Sequence, residues 1–352
     1  MFDLARANVV GMSQALDLID LRSDTVTKPT PEMRRAMAQA EVGDDRYGED
    51  PTVRRLEELY AEIVDKEAAL YVPSGTMANQ VALRSWTNPG SVVLAGKNQH
   101  LVQFERAGAA KNSNIQFGLI REVEGELQVD ELREELLLQR HFGLDVSLVC
   151  VENTHMPSGG RPWNIDHLAE LKAAIGRIPL HMDGARLFNA AVATGVKPSE
   201  YTSKVDSVMS CVSKGLSAPV GSILAGGEEF IARARVERQI LGGQMRQAGV
   251  IAAAGIVALE TMVERLAEDH QRAKVLALAV SERYPDCGLD IASVSTNIVV
   301  FDHKDPTSFL DHLQKNAILA GTISPGRVRL VTHKDLHDSS IDRACKVISD
   351  AP

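Results

Sequence analysis

The chain has few of the features that mark nucleic-acid-binding or membrane proteins. Its 38 lysines and arginines are outnumbered by 47 aspartates and glutamates, giving a formal net charge of -9 over 352 residues. This leaves no basic excess to attract phosphate backbones. No apolar run approaches the roughly 20 residues that a membrane-spanning helix needs, and residues 1–16 carry charged and polar interruptions where a signal peptide would be apolar. The sequence therefore predicts a cytoplasmic protein with neither nucleic acid nor membrane as a partner.

Cysteine is also scarce. The four cysteines, Cys150, Cys211, Cys287 and Cys345, are widely spaced and form no Cys-x-x-Cys pair. Neither a zinc site nor a disulfide framework is therefore predicted, no residue is assigned as a metal ligand, and the sequence does not settle whether a structural cation binds. Cys150 and Cys211 lie inside apolar, strand-like runs, so we expect them to be buried, reduced and unreactive.

Apolar residues alternate along most of the chain between strand-like runs and helical periodicity. The strand-like runs are residues 69–72, 92–95, 147–151, 178–182, 205–212 and 221–224. Helical patterns such as 53–64, 77–86 and 166–174 separate several of them. This alternation predicts an α/β fold, in which helices cover both faces of a mostly parallel sheet. Ligands of such sheets bind at the carboxyl ends of the strands.

The C-terminal part has a different pattern. A long, alanine-rich helical stretch at 248–278 is followed by strand-like runs at 296–301 and 328–332, with a helical segment at 308–316 between them. This pattern predicts a smaller α+β unit. A chain of 352 residues also exceeds the size at which one core keeps growing, so two domains are expected.

Lys214 and Asp183 are the most informative pair of residues. Lys214 follows the run 205–212 and precedes a glycine, and Asp183 follows the run 178–182 and also precedes a glycine. Pyridoxal phosphate chemistry requires an amine for a Schiff base and a carboxylate for the pyridinium nitrogen. Each residue alone has a plainer explanation, as a solvated surface lysine or as a helix cap. The pair favours a cofactor site.

A turn at residues 74–76 adds a phosphate site to this pair. Ser74, Gly75 and Thr76 join the strand-like run 69–72 to the helical pattern 77–86. Backbone amides at a helix N-terminus can hold a phosphate dianion. The same three residue types also form ordinary turns, and it is the strand before and the helix after that favour the functional interpretation.

Several short motifs follow one another along nearly the whole chain. They occupy residues 20–27, 43–52, 73–79, 152–155, 181–186, 213–216, 245–247 and 329–333. In this order they resemble the threonine aldolase family of fold type I pyridoxal phosphate enzymes, within the group of beta-eliminating lyases. The resemblance implies a large cofactor-binding domain at 28–255 with a mostly parallel, seven-stranded sheet. It also implies a small α+β domain at 256–352, against which the N-terminal segment 1–27 packs.

The resemblance further implies which residues hold the cofactor. Lys214 would form the Schiff base, and Asp183 would hold the pyridinium nitrogen. Gly75 and Thr76 would bind the phosphate. Two further cofactor contacts are implied: His100 stacks on the ring, and Arg246 reaches the phosphate from a neighbouring subunit.

Substrate contacts follow from the same resemblance. Arg186 and Arg329 would clamp the substrate carboxylate, since a guanidinium offers two parallel donors to it. Ser23 lies near that carboxylate, although a capping role is nearly as well supported. A base is needed for the β-hydroxyl proton, and neutral imidazole suits this role near pH 7. His155 is the first candidate and His100 the second.

The implied reaction is cleavage of L-threonine, L-allo-threonine or related β-hydroxy-α-amino acids to glycine and an aldehyde. The implied assembly is a homotetramer with active sites at the dimer interfaces. Two alternatives stay open. One is another pyridoxal phosphate reaction on the same fold, β-elimination or racemisation, and the other is a protein that binds the cofactor without catalysis.

Three residues depart from the family pattern. Met156 stands where asparagine is common, Gln244 where glycine is common, and Gln239 where lysine is frequent. An apolar rim made by Met156, Pro157 and Trp163 would favour bulkier or aromatic substrates. The sequence assigns neither the physiological substrate nor a role for residues 1–16.

Overall fold

The computed structural model describes residues 17–352, which contain one large sheet and three small ones. The strands are β1 (Ile19–Asp20), β2 (Ala68–Val72), β3 (Val92–Gly96), β4 (Gln116–Ile120), β5 (Glu122–Val123), β6 (Glu126–Leu127), β7 (Val146–Glu152), β8 (Leu180–Asp183), β9 (Ser207–Cys211), β10 (Ser222–Gly226), β11 (Ile298–Asp302), β12 (Ile318–Leu319), β13 (Gly321–Ser324) and β14 (Arg327–Val331). The large sheet has seven strands in the order β2-β10-β9-β8-β7-β3-β4. The pairs from β9 to β4 are parallel, whereas β10 is antiparallel to both of its neighbours. The predicted α/β class and mostly parallel, seven-stranded sheet are confirmed.

Helices surround this sheet. They are α1 (Pro31–Gln39), α2 (Pro51–Val64), α3 (Gly75–Trp86), α4 (His100–Gln103), α5 (Gly108–Ser113), α6 (Val129–His141), α7 (Ile165–Ile175), α8 (Leu187–Thr194), α9 (Pro198–Thr202), α10 (Glu228–Ile240), α11 (Gly249–Thr261), α12 (Leu266–Arg283), α13 (Pro306–Lys315) and α14 (Asp338–Ser349). Within residues 17–352, none of them is long and apolar enough to cross a membrane.

Side chains of the central strands alternate between two buried layers. In β3, Val92 and Leu94 join the core cluster on one face, and Val93 and Ala95 join a cluster on the other. Alternation with both faces buried is what a sheet with helices on each side requires. This explains why the strands read as continuous apolar runs.

The predicted helix at 248–278 is two helices. Helix α11 ends at Thr261 and α12 begins at Leu266, and the intervening segment is a bend and turn. No glycine or proline lies between them, so the usual sequence signal of a break is missing. Met262 and Leu266, on the two sides of the break, both belong to the core of the large sheet.

The buried apolar side chains form separate core clusters, and the extent of each cluster indicates where one domain ends and the next begins. One cluster covers a face of the large sheet and extends to Leu266, whereas a second joins Ala273 and later residues with Ile19 and Leu21 of the N-terminal segment. We propose that the chain crosses between two domains inside α12, somewhat later than the expected boundary at residue 255. The segment 1–27 expected to pack with the small domain is described only from residue 17, and residues 1–16 lie outside the described chain.

Asp50 ties three segments of the large core together. It caps α2 by accepting from Val53 N at 2.9 Å, and it also accepts from Gly249 N at 2.8 Å and Gly43 N at 3.3 Å. Its side chain is buried. We expect Asp50→Ala to lower stability by about 3 kcal/mol, since a cap and two further amides lose their acceptor.

Thermal denaturation followed by circular dichroism would measure this loss. Asn164→Ala is the matched control, because Asn164 caps only α7, through Asp166 N and His167 N. It should cost about 1 kcal/mol. Equal falls in midpoint for the two variants would contradict the linking role of Asp50.

Candidate active site

Five of the residues predicted from the sequence line a single cavity. It has a volume of about 330 Å³ and lies where β8 and β9 end. The five are Lys214, Asp183, Gly75, Thr76 and His100. The cavity therefore combines the amine, the carboxylate and the phosphate turn that were inferred separately from strand ends.

Lys214 leaves the sheet just after β9 and is fixed through its backbone. Its carbonyl oxygen accepts from Thr27 Oγ1 at 2.9 Å and from Ser217 N at 2.8 Å. A Cβ at Gly215 would lie 2.9 Å from a Leu266 methyl carbon, so packing favours glycine after the lysine. Within residues 17–352, Lys214 Nζ makes neither a hydrogen bond nor an ion pair. The amine is free to react.

The phosphate turn forms the N-terminus of α3. Ser74 caps this helix by accepting from Met77 N at 3.2 Å, while the first helical amides have no partner inside the helix. A Cβ on Gly75 would lie 2.8 Å from Cys211 Sγ, so only glycine fits. Cys211 is buried, as expected, but it also lines the cavity.

Asp183 is a buried carboxylate at the end of β8. It accepts from Asn79 Nδ2 at 2.7 Å and from Ala185 N at 3.1 Å. Burial alone would raise its pKa, but the nearby His100 and Lys214 charges and the Asn79 hydrogen bond lower the pKa below its ordinary value. Helix α8 begins after Arg186 without a side-chain cap, so Asp183 is not a helix cap. A charged carboxylate here attracts a cation.

His100 is oriented by a second buried carboxylate. Its Nδ1 lies 3.1 Å from Glu105 Oε1, and its backbone N donates to Glu152 Oε2 at 2.6 Å. Burial opposes protonation, but the hydrogen bond to Glu105 and the charges of Asp183 and Glu152 raise the His100 pKa above its ordinary value. Glu105 was not predicted as a site residue, because it lies in the turn between α4 and α5 and belongs to none of the sequence motifs.

His100, Glu105 and Asp183 also form a compact group in which the candidate ligand atoms lie within 4.8 Å of one another. Such a group could in principle hold a cation. Asn79 Nδ2, however, donates to both carboxylates, to Glu105 Oε1 at 2.9 Å and to Asp183 at 2.7 Å. An N–H donor between two carboxylates occupies the place where a metal ion would bind, so the group is a hydrogen-bonded network.

Arg186 is held by a carboxylate of the protein itself. Its Nε and Nη2 donate to the two oxygens of Asp24 at 2.7 and 2.6 Å. Both side chains are buried, and although burial opposes it, the Arg186 charge holds the Asp24 pKa well below its usual range. Arg186 therefore has one edge engaged before any substrate binds. Asp24 was missed as a site residue, although it lies inside the motif at 20–27.

Arg329, on β14, is less completely paired. Its Nη2 donates to Arg22 O at 2.8 Å, and Nη1 contacts the Met156 sulfur at 3.3 Å. Its Nε is buried and has no hydrogen-bond partner among residues 17–352. Burial and the neighbouring Arg186 lower the Arg329 pKa to about 10. An incoming carboxylate would satisfy this guanidinium better than a sulfur does.

Two other predicted residues have different surroundings. Ser23 accepts from Thr25 N at 3.3 Å as the cap of a short 3-10 helix, which is the alternative role that the sequence left open. The Arg246 side chain is 59% exposed and lies 3.8 Å from Asp44. Within the described chain Arg246 does not line the Lys214 cavity.

His155 opens onto a neighbouring cavity of about 610 Å³. Its Nε2 lies 3.0 Å from Glu122 Oε1, but neither ring nitrogen makes a hydrogen bond of normal geometry. Burial lowers the His155 pKa, and Glu122 and Glu152 more than offset this, so the pKa is raised. Phe104 lines this cavity and stacks on His100 at 5.5 Å. The His155 and Lys214 cavities are thus separate but adjacent.

The expected apolar rim is wrong in one part. Trp163 is almost fully buried in the main core, and its Nε1 donates to Glu152 O at 3.0 Å. Pro157 lines the cavity of His155, and Met156 contacts Arg329 through its sulfur. Trp163 therefore supports the strand end and cannot contact a substrate.

Comparisons with known proteins point in one direction. A model of the beta-eliminating lyase family matches residues 20–304. The chain is 39% identical over 334 residues to low-specificity L-threonine aldolase 1 of Arabidopsis thaliana, covering 92% of this chain and 93% of that one. It is 40% identical over 324 residues to low specificity L-threonine aldolase of Escherichia coli strain K12, covering 91% and 95%.

A solved structure has the same fold. The threonine aldolase of Leishmania major superposes with a TM-score of 0.82 at 18% identity, covering 94% of this chain and 99% of that chain. At this identity the likeness shows the fold alone.

The His155–Glu122 contact predicts a measurable titration. Because Glu122 raises the His155 pKa, Glu122→Gln should lower that pKa and reduce the protonated fraction near neutral pH. Histidine-selective NMR during a pH titration would measure it. Glu124→Gln is the control on the same hairpin, since Glu124 pairs instead with Arg161 at 2.5 Å. An unchanged His155 pKa in Glu122→Gln would contradict the coupling.

Proposed function

Because the chain belongs to the threonine aldolase family of beta-eliminating lyases, we propose that it is a pyridoxal phosphate-dependent carbon–carbon lyase. It cleaves L-threonine, L-allo-threonine or related β-hydroxy-α-amino acids to glycine and an aldehyde. The observation that carries this proposal is the convergence of Lys214, Asp183 and the Gly75–Thr76 turn on one cavity.

The residues of this cavity fit pyridoxal phosphate on three counts. Lys214 supplies an amine that has no competing partner in the described part of the chain. Asp183 supplies a carboxylate whose lowered pKa keeps it charged beside a pyridinium nitrogen. The N-terminus of α3 supplies free amides for a phosphate, and Gly75 leaves the cradle open. His100 lines the same cavity, where its ring can stack on the cofactor.

Bound in this cavity, pyridoxal phosphate would supply an electron sink for cleavage of the substrate Cα–Cβ bond. The protein decides which bond is aligned by fixing the substrate carboxylate. Arg329 has a buried Nε that lacks a partner within the described residues, and it would take this carboxylate as a charge-assisted pair. Arg186, braced by Asp24, would present its remaining edge to the same group. Ser23 would complete this end of the site from the adjoining segment.

The proton of the β-hydroxyl group needs an acceptor on the protein. His155 remains the first candidate, because the Glu122 carboxylate stabilises the imidazolium that forms when the ring takes a proton. The adjoining cavity would give the released aldehyde a route away from Lys214. His100 is the second candidate, since it lines the cavity directly and has Glu105 behind it.

We propose a shared site between subunits for Arg246. Its side chain is largely exposed and does not line the Lys214 cavity of its own chain within residues 17–352. A guanidinium in this position would reach the phosphate in a neighbouring subunit. The assembly proposed is a homotetramer built from such dimers, acting in the cytoplasm on a small amino acid.

Product identification tests the reaction. Incubation with L-threonine and L-allo-threonine should give glycine and acetaldehyde in equal amounts, and Lys214→Ala should reduce the rate by at least about a thousandfold, since covalent activation of the substrate is lost. Chromatography of amino acids and an aldehyde-coupled assay would measure both. A 2-oxo acid and ammonia would indicate β-elimination instead, and full activity in Lys214→Ala would overturn the proposal.

Subunit mixing tests the role of Arg246. Lys214→Ala and Arg246→Ala should each be inactive or nearly so. After joint refolding or co-expression, the mixture should recover roughly a quarter of wild-type activity, since half of the dimers are hybrids with one complete site. Mixing Lys214→Ala with Asp183→Ala is the control, because both lesions lie in one cavity of one chain. This control mixture should show no more activity than the residual activity of the Asp183→Ala variant. The same low activity in both mixtures would contradict a shared site.

A further inference from the structure

A chain of buried polar side chains runs from the Lys214 cavity into the interior of the sheet. It links Asp183 to Asn79, then to His181, Ser207 and Trp86. Asn79 Nδ2 lies 2.7 Å from Asp183 Oδ2, His181 Nε2 lies 3.2 Å from Asn79 Oδ1, and His181 Nδ1 lies 2.9 Å from Ser207 Oγ. Trp86 Nε1 donates to Ser207 Oγ at 2.8 Å. Asn79, His181 and Ser207 are at most 1% exposed.

The carboxylates of Glu105 and Asp183 determine which group donates and which accepts in each hydrogen bond of this network. The Asn79 amide nitrogen faces both Glu105 Oε1 and Asp183 Oδ2, at 2.9 and 2.7 Å. Its two hydrogens satisfy both carboxylates, whereas a flipped amide would place its oxygen against them. Asn79 Oδ1 must therefore face His181, and His181 must donate to it from Nε2.

The histidine then has only one consistent state. Burial lowers the His181 pKa to about 4, so the ring is neutral at physiological pH. With its proton on Nε2, its Nδ1 can only accept, and Ser207 must donate to it. The second side of Ser207 Oγ accepts the indole N–H of Trp86. Each donor in this hydrogen-bond network has an acceptor within it, so the network is complete without a water molecule or an additional proton.

We propose that Asn79 is a positioning residue for the cofactor, held in one orientation by His181, Ser207 and Trp86. One amide group pins the carboxylate that would meet the pyridinium nitrogen and the carboxylate that orients His100. Asn79 would thereby position both Asp183 at the nitrogen of the cofactor ring and His100 on the face of that ring. This inference rests on the proposed pyridoxal phosphate site and names residues that act on it through Asp183 and Glu105.

Loss of the amide should shift the proton between Asp183 and the cofactor. A carboxylate that loses a donated hydrogen bond becomes more basic, so Asp183 would draw the proton away from the ring nitrogen. Asn79→Leu removes both donors at similar volume, and Asn79→Asp replaces them with a third negative charge. His181→Phe and Trp86→Phe remove successive links behind the amide.

The experiment uses the full-length protein reconstituted with pyridoxal phosphate labelled with ¹⁵N in its ring. In the wild type the ¹⁵N signal should be that of a protonated nitrogen. In both Asn79 variants it should move toward the unprotonated position, and the cofactor Kd should rise about tenfold or more, which corresponds to a hydrogen bond to a charged group. The effect should decrease from Asn79→Leu to His181→Phe to Trp86→Phe.

Tyr60→Phe is the matched control. It removes a buried hydrogen bond of 2.7 Å to Ser210 on β9 without touching the network, and it should leave the ¹⁵N signal and Kd unchanged. A wild-type ring signal in folded Asn79 variants would overturn the positioning role, even if turnover fell.

NMR of the cofactor-free wild type supplies a measurement that needs no variant to fold. The His181 ring should be neutral at pH 7 and carry its proton on Nε2, with His181→Phe identifying its signal. A proton on Nδ1, or a charged ring, would overturn the inference. If wild-type protein takes up no pyridoxal phosphate, the proposed function fails, and the His181 measurement still decides whether the network is as assigned.

Discussion

The site depends on keeping one carboxylate charged in a buried position. Asp183 ends a strand in the middle of the large sheet, where burial by itself favours the neutral acid. An isolated charge in such surroundings would be costly, so the neighbouring groups supply positive charge and N–H donors. Asn79 and the Ala185 amide donate to it, and His100 and Lys214 face it. The groups expected to bind the cofactor therefore also stabilise the charge of Asp183.

A second buried carboxylate, Asp24, is kept charged by an ion pair with Arg186. Asp24 comes from the N-terminal segment, Arg186 from the end of the large sheet, and Asn297, which donates to Asp24 at 3.2 Å, from the segment before β11. Such a pair contributes little net stability, but loss of one partner leaves an uncompensated charge. The pair and Asn297 thus hold three distant segments together around the cavity. Because Asp24 is engaged by Arg186, Arg329 has no carboxylate partner among residues 17–352.

The sequence predicted much of this arrangement because strand ends carry strong signals. Lys214, Asp183 and the turn at Gly75 follow apolar runs, and the carboxyl ends of parallel strands meet at one edge. The partners of these residues could not be predicted in the same way. Asn79 and Asp183 are 104 residues apart, and Asp24 and Arg186 are 162 apart, so their pairing depends on tertiary packing. The break between α11 and α12 lacks glycine and proline, and no local pattern marks it.

Two charges around the cavity, one negative and one positive, form no salt bridge within residues 17–352, and together they describe the ligand. Asp183 is a negative charge with hydrogen-bond donors but no ion-paired arginine or lysine within residues 17–352. Arg329 is a positive charge whose Nε is buried without an acceptor. A molecule that complements both must present a cation to one and an anion to the other. Bound pyridoxal phosphate and an amino-acid substrate would together have this distribution, with the ring nitrogen as the cation and the substrate carboxylate as the anion. Two other buried carboxylates near the cavity already have partners within the protein, since Asp24 pairs with Arg186 and Glu105 accepts from Asn79 and Gln80 and contacts His100. This charge pattern agrees with the proposed site for pyridoxal phosphate and an amino acid, and in that proposal the choice among β-hydroxy amino acids falls to the adjoining cavity of His155.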